Sequence, residues 1–169
     1  PDEHGQPVVQ AISGVPIAPI VSISHAKGVA VAVVGDSSVA DGVGIDIEPA
    51  GRLDATASSL AFTPDELALL SSLSVADHDG WPLRLWCAKE AVSKALGQGL
   101  VGGPHGVVVE SFDTDTGYVQ VLLAGKMAGQ FPAENGDSIA AYTALDRGLI
   151  VATSVHVSSH HKETKHEST

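Results

Sequence analysis

The stretch "GVGIDIEPAGR", residues 42–52, places two acids in a run that is otherwise typical of a buried strand. Because side chains alternate along a strand, the branched aliphatic residues fall on one face and the two acids on the other, with carboxylates roughly 7 Å apart. The aliphatic face consists of Val43, Ile45 and Ile47. Asp46 and Glu48 share the other face with Gly44. The sequence therefore predicts a strand with one core face and one acidic face.

Such an acid pair, taken alone, is more often a solvated edge of a sheet than a functional site. The rest of the chain sets the context. Its 169 residues, of which 44% are hydrophobic, suit one domain with its own core. A net charge of −11 argues against nucleic-acid partners, which require a basic surface.

The apolar runs of the chain are far shorter than the roughly 20 residues that span a bilayer, so we expect no membrane partner. The single cysteine, Cys87, excludes an internal disulfide and a cysteine-based metal site. It also suits a reducing compartment, so we expect the protein to be cytoplasmic.

Three short strand-like runs occupy the first third of the chain. They are "IVSISH" (20–25), "GVAVAVV" (28–34) and "GVGIDIE" (42–48), separated by turn-forming residues. This pattern predicts an antiparallel meander. Residues 1–18, which are rich in Pro and Gly, indicate an extended lead-in rather than a packed element.

Two helices follow. In "FTPDELALLSSL" (62–73), Thr63 is a suitable N-cap and Pro64 a suitable first helical residue, so a helix should begin at Pro64. "WPLRLWCAKEAVSKALGQG" (81–99) has apolar residues at helical spacing, with Gly97 as its stop signal.

Four more strand-like runs complete the domain: "GVVVE", "GYVQVLL", "SIAAYTAL" and "LIVATSV". A group of strands, then two helices, then a second group of strands is the order typical of an α+β fold. We therefore expect an antiparallel sheet packed by two main helices. We expect residues 19–157 to form one domain and residues 158–169 to be a disordered tail.

The second helix concentrates charge. Lys89 and Glu90 lie mid-helix, and Lys94 follows Glu90 at the i to i+4 spacing of a surface ion pair, which contributes only about 0.2–0.5 kcal/mol. A functional interpretation is also open. Oxygen ligands for Mg²⁺ and ammonium groups for phosphate oxygens are the requirements of phosphate-ester chemistry, and Asp46, Glu48 and Glu90 with nearby lysines supply both.

Ser24 and His25 close the first strand, where a hydroxyl and an imidazole could meet an anion. A lone histidine at a strand end is, however, usually structural. We expect Cys87 to pack in the core, because no base partners it in the sequence.

Four motifs, taken together, resemble the phosphopantetheinyl transferases of the surfactin-synthetase-activating type. They are "SISHAKGVAVAV" (22–33), "GVGIDIE" (42–48), "FTPDE" (62–66) and "LWCAKEAVSKALGQGL" (85–100), in this order and spacing. The resemblance implies a transferase that moves the phosphopantetheine arm of coenzyme A to a serine of an acyl or peptidyl carrier protein. It also implies a requirement for Mg²⁺ and release of adenosine 3',5'-bisphosphate.

Carried over by position, the resemblance implies that Asp46, Glu48 and Glu90 bind the metal. Glu90 would also help to deprotonate the incoming serine, and Lys94 would contact the pyrophosphate. Glu90 and Lys94 are thus the implied catalytic residues.

The resemblance also implies contacts with coenzyme A. Ser24 and His25 match the family's phosphate contacts, and Lys89 belongs to the W-x-x-K-E signature with a role at the same ligand. Trp86 is expected to support the helix.

Full-length members of this type have two similar lobes, and this chain begins where the first lobe would be ending. Three arrangements stay open: a requirement for an upstream lobe, self-association as in the trimeric class of the superfamily, or a domain from a polyketide synthase that modifies its own carrier. The chain starts at Pro1 without Met, as expected for a piece of a longer protein. Carrier proteins are generally acidic, as this chain is, and tethering would offset that repulsion.

Two other functions stay open. A metal-dependent phosphoester hydrolase could employ the three acids with water as nucleophile. A non-catalytic lobe that docks a carrier protein needs none of them, so the intact acids and Lys94 count against it.

Overall fold

The computed structural model describes residues 6–9, 14, 18–74, 80–100, 102–132, 134 and 136–158. The predicted lead-in (1–18) and tail (158–169) therefore lie largely outside the described residues. The strands within these ranges are β1 (Ile20–Ala26), β2 (Val29–Gly35), β3 (Gly42–Pro49), β4 (Val107–Phe112), β5 (Tyr118–Leu123), β6 (Ile139–Asp146) and β7 (Leu149–His156). The helices are α1 (Ala55–Ala61), α2 (Pro64–Ser71), α3 (Trp81–Ala95) and α4 (Gly125–Gln130), with a 3₁₀ turn at Pro104–Gly106.

The strands form two antiparallel sheets. β1 and β2 make a two-stranded hairpin, and the other strands form a five-stranded sheet in the order β3-β7-β6-β5-β4. The predicted α+β class is confirmed. No helix in the described ranges is long and apolar enough to cross a bilayer.

The predicted three-stranded meander is wrong in one respect, because β3 pairs with β7 and not with β2. β1 and β2 do pair, across a turn in which Lys27 and Gly28 both have positive φ. After β2, the backbone N–H groups of Val39 and Ala40 both donate to the Asp36 carbonyl at 3.1 Å. This tight turn directs the chain into the larger sheet.

β1 nevertheless lies against the free edge of β3, joined by side chains. The N–H of Ile45 donates to Ser22 Oγ and the N–H of Ile47 donates to Ser24 Oγ, each at 3.2 Å. Alternate serines thus take the place of a backbone ladder and satisfy amides of an edge strand that is buried.

β3 packs directly on the backbone of α3 through its glycines. A Cβ atom at Gly42 would lie 1.8 Å from the carbonyl oxygen of Ala95, and one at Gly44 would lie 1.8 Å from that of Ala91. Only glycine allows this approach. Asp46 is the next residue on the same face of β3, so the packing sets its carboxylate against the helix.

Both main helices begin and end near their predicted limits. Thr63 and Glu66 form a capping box at the start of α2, with Pro64 as the first helical residue, and this prediction is confirmed. α3 ends at Ala95, two residues before Gly97, whose φ of 77° suits a helix stop.

The main core lies between α3 and the inner face of the five-stranded sheet. It includes Leu85, Ala88, Val92, Val107, Val119, Val121, Met127 and Ala141, each with no exposed surface. α3 supplies the centre of this core. One side of the helix therefore packs in the core and another side packs on β3, and both contacts fix its position.

Gly44→Ala should lower the free energy of unfolding by about 1–3 kcal/mol or more, because the added methyl group would overlap the Ala91 carbonyl. Urea denaturation measures the loss. Gly129→Ala is the matched control, since a Cβ at Gly129 meets no atom of the described residues within 4 Å. Equal stability of the Gly44 variant and the wild type would contradict the close packing.

Candidate functional site

The centre of the site is an ion pair between β3 and α3. Lys94 Nζ lies 2.7 Å from Asp46 Oδ1 and also donates to the carbonyl oxygen of Ile45 at 3.1 Å. Asp46 is buried, whereas the Lys94 side chain is 29% exposed. The lysine therefore joins the two elements and reaches the surface.

Ser24 adds a second donor to the same carboxylate oxygen. Its hydroxyl donates to Asp46 Oδ1 at 3.0 Å. The other oxygen, Oδ2, is buried and has no hydrogen-bond partner among the residues that the structure describes. A buried carboxylate oxygen left without a donor is costly unless another group, such as a cation, meets it.

Glu48 and Glu90 share the electrostatic environment of Asp46. Burial raises the pKa of both carboxyl groups, and the charge of Asp46 raises them further, while Lys94 partly offsets this. The charge of Glu48 also raises the pKa of Glu90. The three acids predicted as one set thus act on each other across β3 and α3.

Cys87 is fully buried on the same helix. Burial raises the pKa of its thiol strongly, and Asp46 is the next largest cause. A thiol that stays protonated is a poor nucleophile. This agrees with the predicted packing role.

A metal set was predicted from Asp46, Glu48 and Glu90. Among the residues that the structure describes, no group of three or more His, Cys, Asp or Glu side chains forms a ready-made metal cage. Two observations nevertheless fit a hard cation: the unpartnered Asp46 Oδ2 and the mutual influence of three carboxylates. The metal assignment stays a prediction.

Lys89 is in a different environment from the one predicted. Its Nζ is fully buried, 2.7 Å from Glu66 Oε1, and donates to the carbonyl oxygens of Ala61 (2.8 Å) and Pro104 (3.2 Å). Burial lowers the pKa of Lys89, and Glu66 partly offsets this. Because all three ammonium hydrogens have internal acceptors, none is left for coenzyme A, and the predicted contact of Lys89 with this ligand has no support in the observed environment.

Glu66 has a structural role that was only partly predictable from the sequence. Its carboxylate accepts from Lys89 and from the backbone N–H groups of Thr63 and Val109, each of these N–H contacts at 2.7 Å. It thus ties α2, β4 and α3 together. The capping-box spacing of Thr63 and Glu66 was a sequence signal for part of this role, but nothing in the sequence pointed to Lys89 as the partner.

His25 is exposed at the end of β1. Neighbouring residues of a strand point to opposite faces, so His25 is directed away from the side on which Ser24 meets Asp46. Of the two residues predicted to contact phosphate, Ser24 is therefore buried and His25 is exposed.

Comparison with known proteins identifies the family. The profile of the 4'-phosphopantetheinyl transferase superfamily matches residues 42–143, more than half of the chain. The chain belongs to this superfamily. The matched region contains β3 and α3, and hence the acids and Lys94, but it leaves out the hairpin that carries Ser24.

A solved structure supports the fold. The chain is similar to holo-[acyl-carrier-protein] synthase (AcpS) from Neisseria meningitidis, with a TM-score of 0.53 and 16% sequence identity, over 69% of this chain and 97% of that one. No curated protein sequence matches the chain significantly. The phosphopantetheinyl-transferase-like architecture is thus confirmed.

Lys89→Met should lower the free energy of unfolding by about 3–5 kcal/mol, because it leaves Glu66 buried and unpaired. Urea denaturation against Lys126→Met, which removes an exposed lysine, measures the effect. A variant as stable as the wild type, with weakened binding of coenzyme A, would show instead that Lys89 serves the ligand.

Glu90→Gln should stabilise the chain in EDTA near neutral pH. The pKa of Glu90 is raised in the fold from its ordinary value of 4.5. At a pH above 4.5, the ionisation of Glu90 therefore lowers the free energy of unfolding. The gain should shrink as the pH falls below that value, where both states are protonated. Urea midpoints at about pH 7 and pH 4, compared with the exposed-site variant Glu110→Gln, measure it. A gain that persisted or grew at the lower pH would contradict the assignment.

Proposed function

We propose that this chain transfers the 4'-phosphopantetheine arm of coenzyme A to a serine of an acyl or peptidyl carrier protein. The products are holo carrier protein and adenosine 3',5'-bisphosphate. The observation that carries the proposal is the joining of Asp46 on β3 to Lys94 on α3, with Glu48 and Glu90 in the same field, inside the region that matches the superfamily.

Asp46, Glu48 and Glu90 are the residues that would hold Mg²⁺. When bound, the ion would neutralise charge on the pyrophosphate of coenzyme A. Asp46 contributes the unpartnered oxygen Oδ2. The two glutamates have pKa values raised chiefly by burial and by the charge of Asp46, a repulsion that a cation relieves.

Lys94 is the proposed contact for the pyrophosphate. Its ammonium group bonds Asp46 and the Ile45 carbonyl, and its side chain remains partly exposed. An ammonium that is both fixed to the site and open to solvent can donate to a phosphate oxygen. It would stabilise the charge that develops on the leaving phosphate.

Glu90 is the proposed proton acceptor. In the transfer, the serine oxygen of the carrier forms a bond to the phosphorus next to the pantetheine, and the bond from that phosphorus to the bridging oxygen breaks. Adenosine 3',5'-bisphosphate leaves with the bonding electrons, and the serine proton passes to Glu90, directly or through water. Glu90 lies on α3 in the electrostatic field of Asp46 and Glu48, and its ionised carboxylate is a group that can accept this proton.

His25 is the proposed contact for a further phosphate of coenzyme A. Its imidazole is exposed at the end of β1, on the element that also delivers Ser24 to the site. An exposed imidazole can donate to a phosphate without first breaking an internal hydrogen bond.

The active unit is proposed to include a second lobe or a second copy of the chain. The face of the five-stranded sheet opposite α3 carries Tyr142 and Val155, which are 57% and 56% exposed. Ile23 and Val34 expose apolar surface on the hairpin. These exposed apolar side chains are the ones that a second lobe or a second copy would cover.

The carrier protein is proposed to be a domain of the same synthase. A chain with a net charge of −11 repels an acidic partner in free solution, which slows their encounter. Covalent linkage overcomes this by raising the effective concentration.

Mass spectrometry of an apo carrier protein, incubated with the chain, coenzyme A and Mg²⁺, tests the proposal. We expect the added mass of phosphopantetheine, its loss in EDTA, and its loss in Glu90→Gln but not in Glu110→Gln. Retained transfer in Glu90→Gln would contradict the proposed role of Glu90.

The other outcomes separate the alternatives. Cleavage of coenzyme A without a carrier would support a phosphoester hydrolase. No transfer by the folded chain, even when an upstream lobe of a related two-lobed enzyme is added, would contradict catalysis and favour a carrier-docking lobe.

A further inference from the structure

The hydroxyl of Ser24 has no hydrogen left for a ligand. A serine hydroxyl carries one hydrogen and two lone pairs. The hydrogen is directed to Asp46 Oδ1 at 3.0 Å, because a carboxylate can only accept. One lone pair accepts from the N–H of Ile47 at 3.2 Å. A phosphate oxygen would need the same hydrogen.

The bonding pattern at Asp46 is one-sided. Ser24 and Lys94 both donate to Oδ1, at 3.0 and 2.7 Å, while Oδ2 is buried and accepts no hydrogen bond from the described part of the chain. Two donors on one oxygen fix the rotation of the carboxylate about its terminal bond. The free oxygen therefore has a defined direction.

We propose that Ser24 is a positioning residue that holds the Asp46 carboxylate with Oδ2 presented to the divalent cation, and is not a phosphate ligand. The inference rests on the proposed function, which places a cation at Asp46. In that function, Lys94 also donates a hydrogen bond to the pyrophosphate. Ser24 is then the hydroxyl donor whose hydrogen goes to Asp46 alone, beside the weaker thiol donor of Cys87, which also interacts with this carboxylate.

The structure contains a matched residue two positions earlier. Ser22 accepts from the N–H of Ile45 at 3.2 Å, the same bond that Ser24 makes with Ile47. Both serines are buried on the same face of β1. The hydroxyl of Ser22 has no described bond to Asp46, so a comparison of the two serines isolates the contact with the carboxylate.

The test is the affinity of the whole chain for Mn²⁺, measured by counting free Mn²⁺ with electron paramagnetic resonance, without coenzyme A. Loss of a group that orients a metal ligand typically weakens metal binding about 10- to 100-fold, and we expect this for Ser24→Ala. Ser24→Thr, which keeps the hydroxyl, should stay near the wild type. Ser22→Ala should bind Mn²⁺ as the wild type does, even where its thermal stability falls.

A second readout separates the metal from the ligand. With Mg²⁺ saturating, Ser24→Ala should retain the wild-type KM for coenzyme A in the transfer assay. A raised KM with unchanged Mn²⁺ affinity would overturn the proposal and make Ser24 a phosphate contact. If Ser24→Ala does not fold, Ser24→Cys, which has similar size and a weak donor, takes its place.

Failure of the proposed function gives a different result. Wild-type chain that binds no Mn²⁺ would contradict the metal site itself, and the positioning role with it. Wild-type binding that is unchanged in Ser24→Ala would overturn the positioning role alone.

Discussion

The arrangement of the site depends on the contact between the backbones of β3 and α3. Gly42 and Gly44 have no Cβ atoms, and the carbonyl oxygens of Ala95 and Ala91 occupy the places where these atoms would lie. The strand and the helix therefore approach more closely than side chains would allow. This brings Asp46 within hydrogen-bond distance of Lys94 and holds Glu90 in the same electrostatic field.

The opposite flank of α3 is held by a different interaction. Lys89 and Glu66 form a fully buried ion pair whose remaining hydrogen-bonding groups are met by backbone. Two adjacent residues of α3 thus differ in role. Lys89 holds the helix in place through its buried ion pair, while Glu90 interacts with the acids of the site. The three acids of the site oppose one another, as their effects on the pKa values show, so the fold needs rigid support around them.

Much of the fold could be predicted from local patterns. The α+β class, the start of α2 at Pro64 and the Gly97 stop all follow from periodicity and cap chemistry, which act over a few residues. The short helices α1 and α4 were missed, because seven and six residues carry little periodicity. The pairing of β3 with β7 was missed as well, since it joins residues about a hundred positions apart.

The site was only partly predictable for the same reason. The alternation of β3 placed Asp46 and Glu48 on one face, and the spacing in α3 placed Glu90 near Lys94. The environment of Lys89 depends on Glu66, 23 residues away, and the role of Ser24 depends on which edge β1 covers. Such contacts between distant residues have no local signature in a single sequence.

The most direct test of the account is anomalous X-ray diffraction from crystals of the chain with Mn²⁺ and coenzyme A. We expect an anomalous peak beside Asp46 Oδ2, with the Ser24 hydroxyl still donating to Oδ1 and the Lys94 ammonium group donating to the pyrophosphate. A peak remote from Asp46, or a Ser24 hydroxyl bonded to a phosphate, would contradict it.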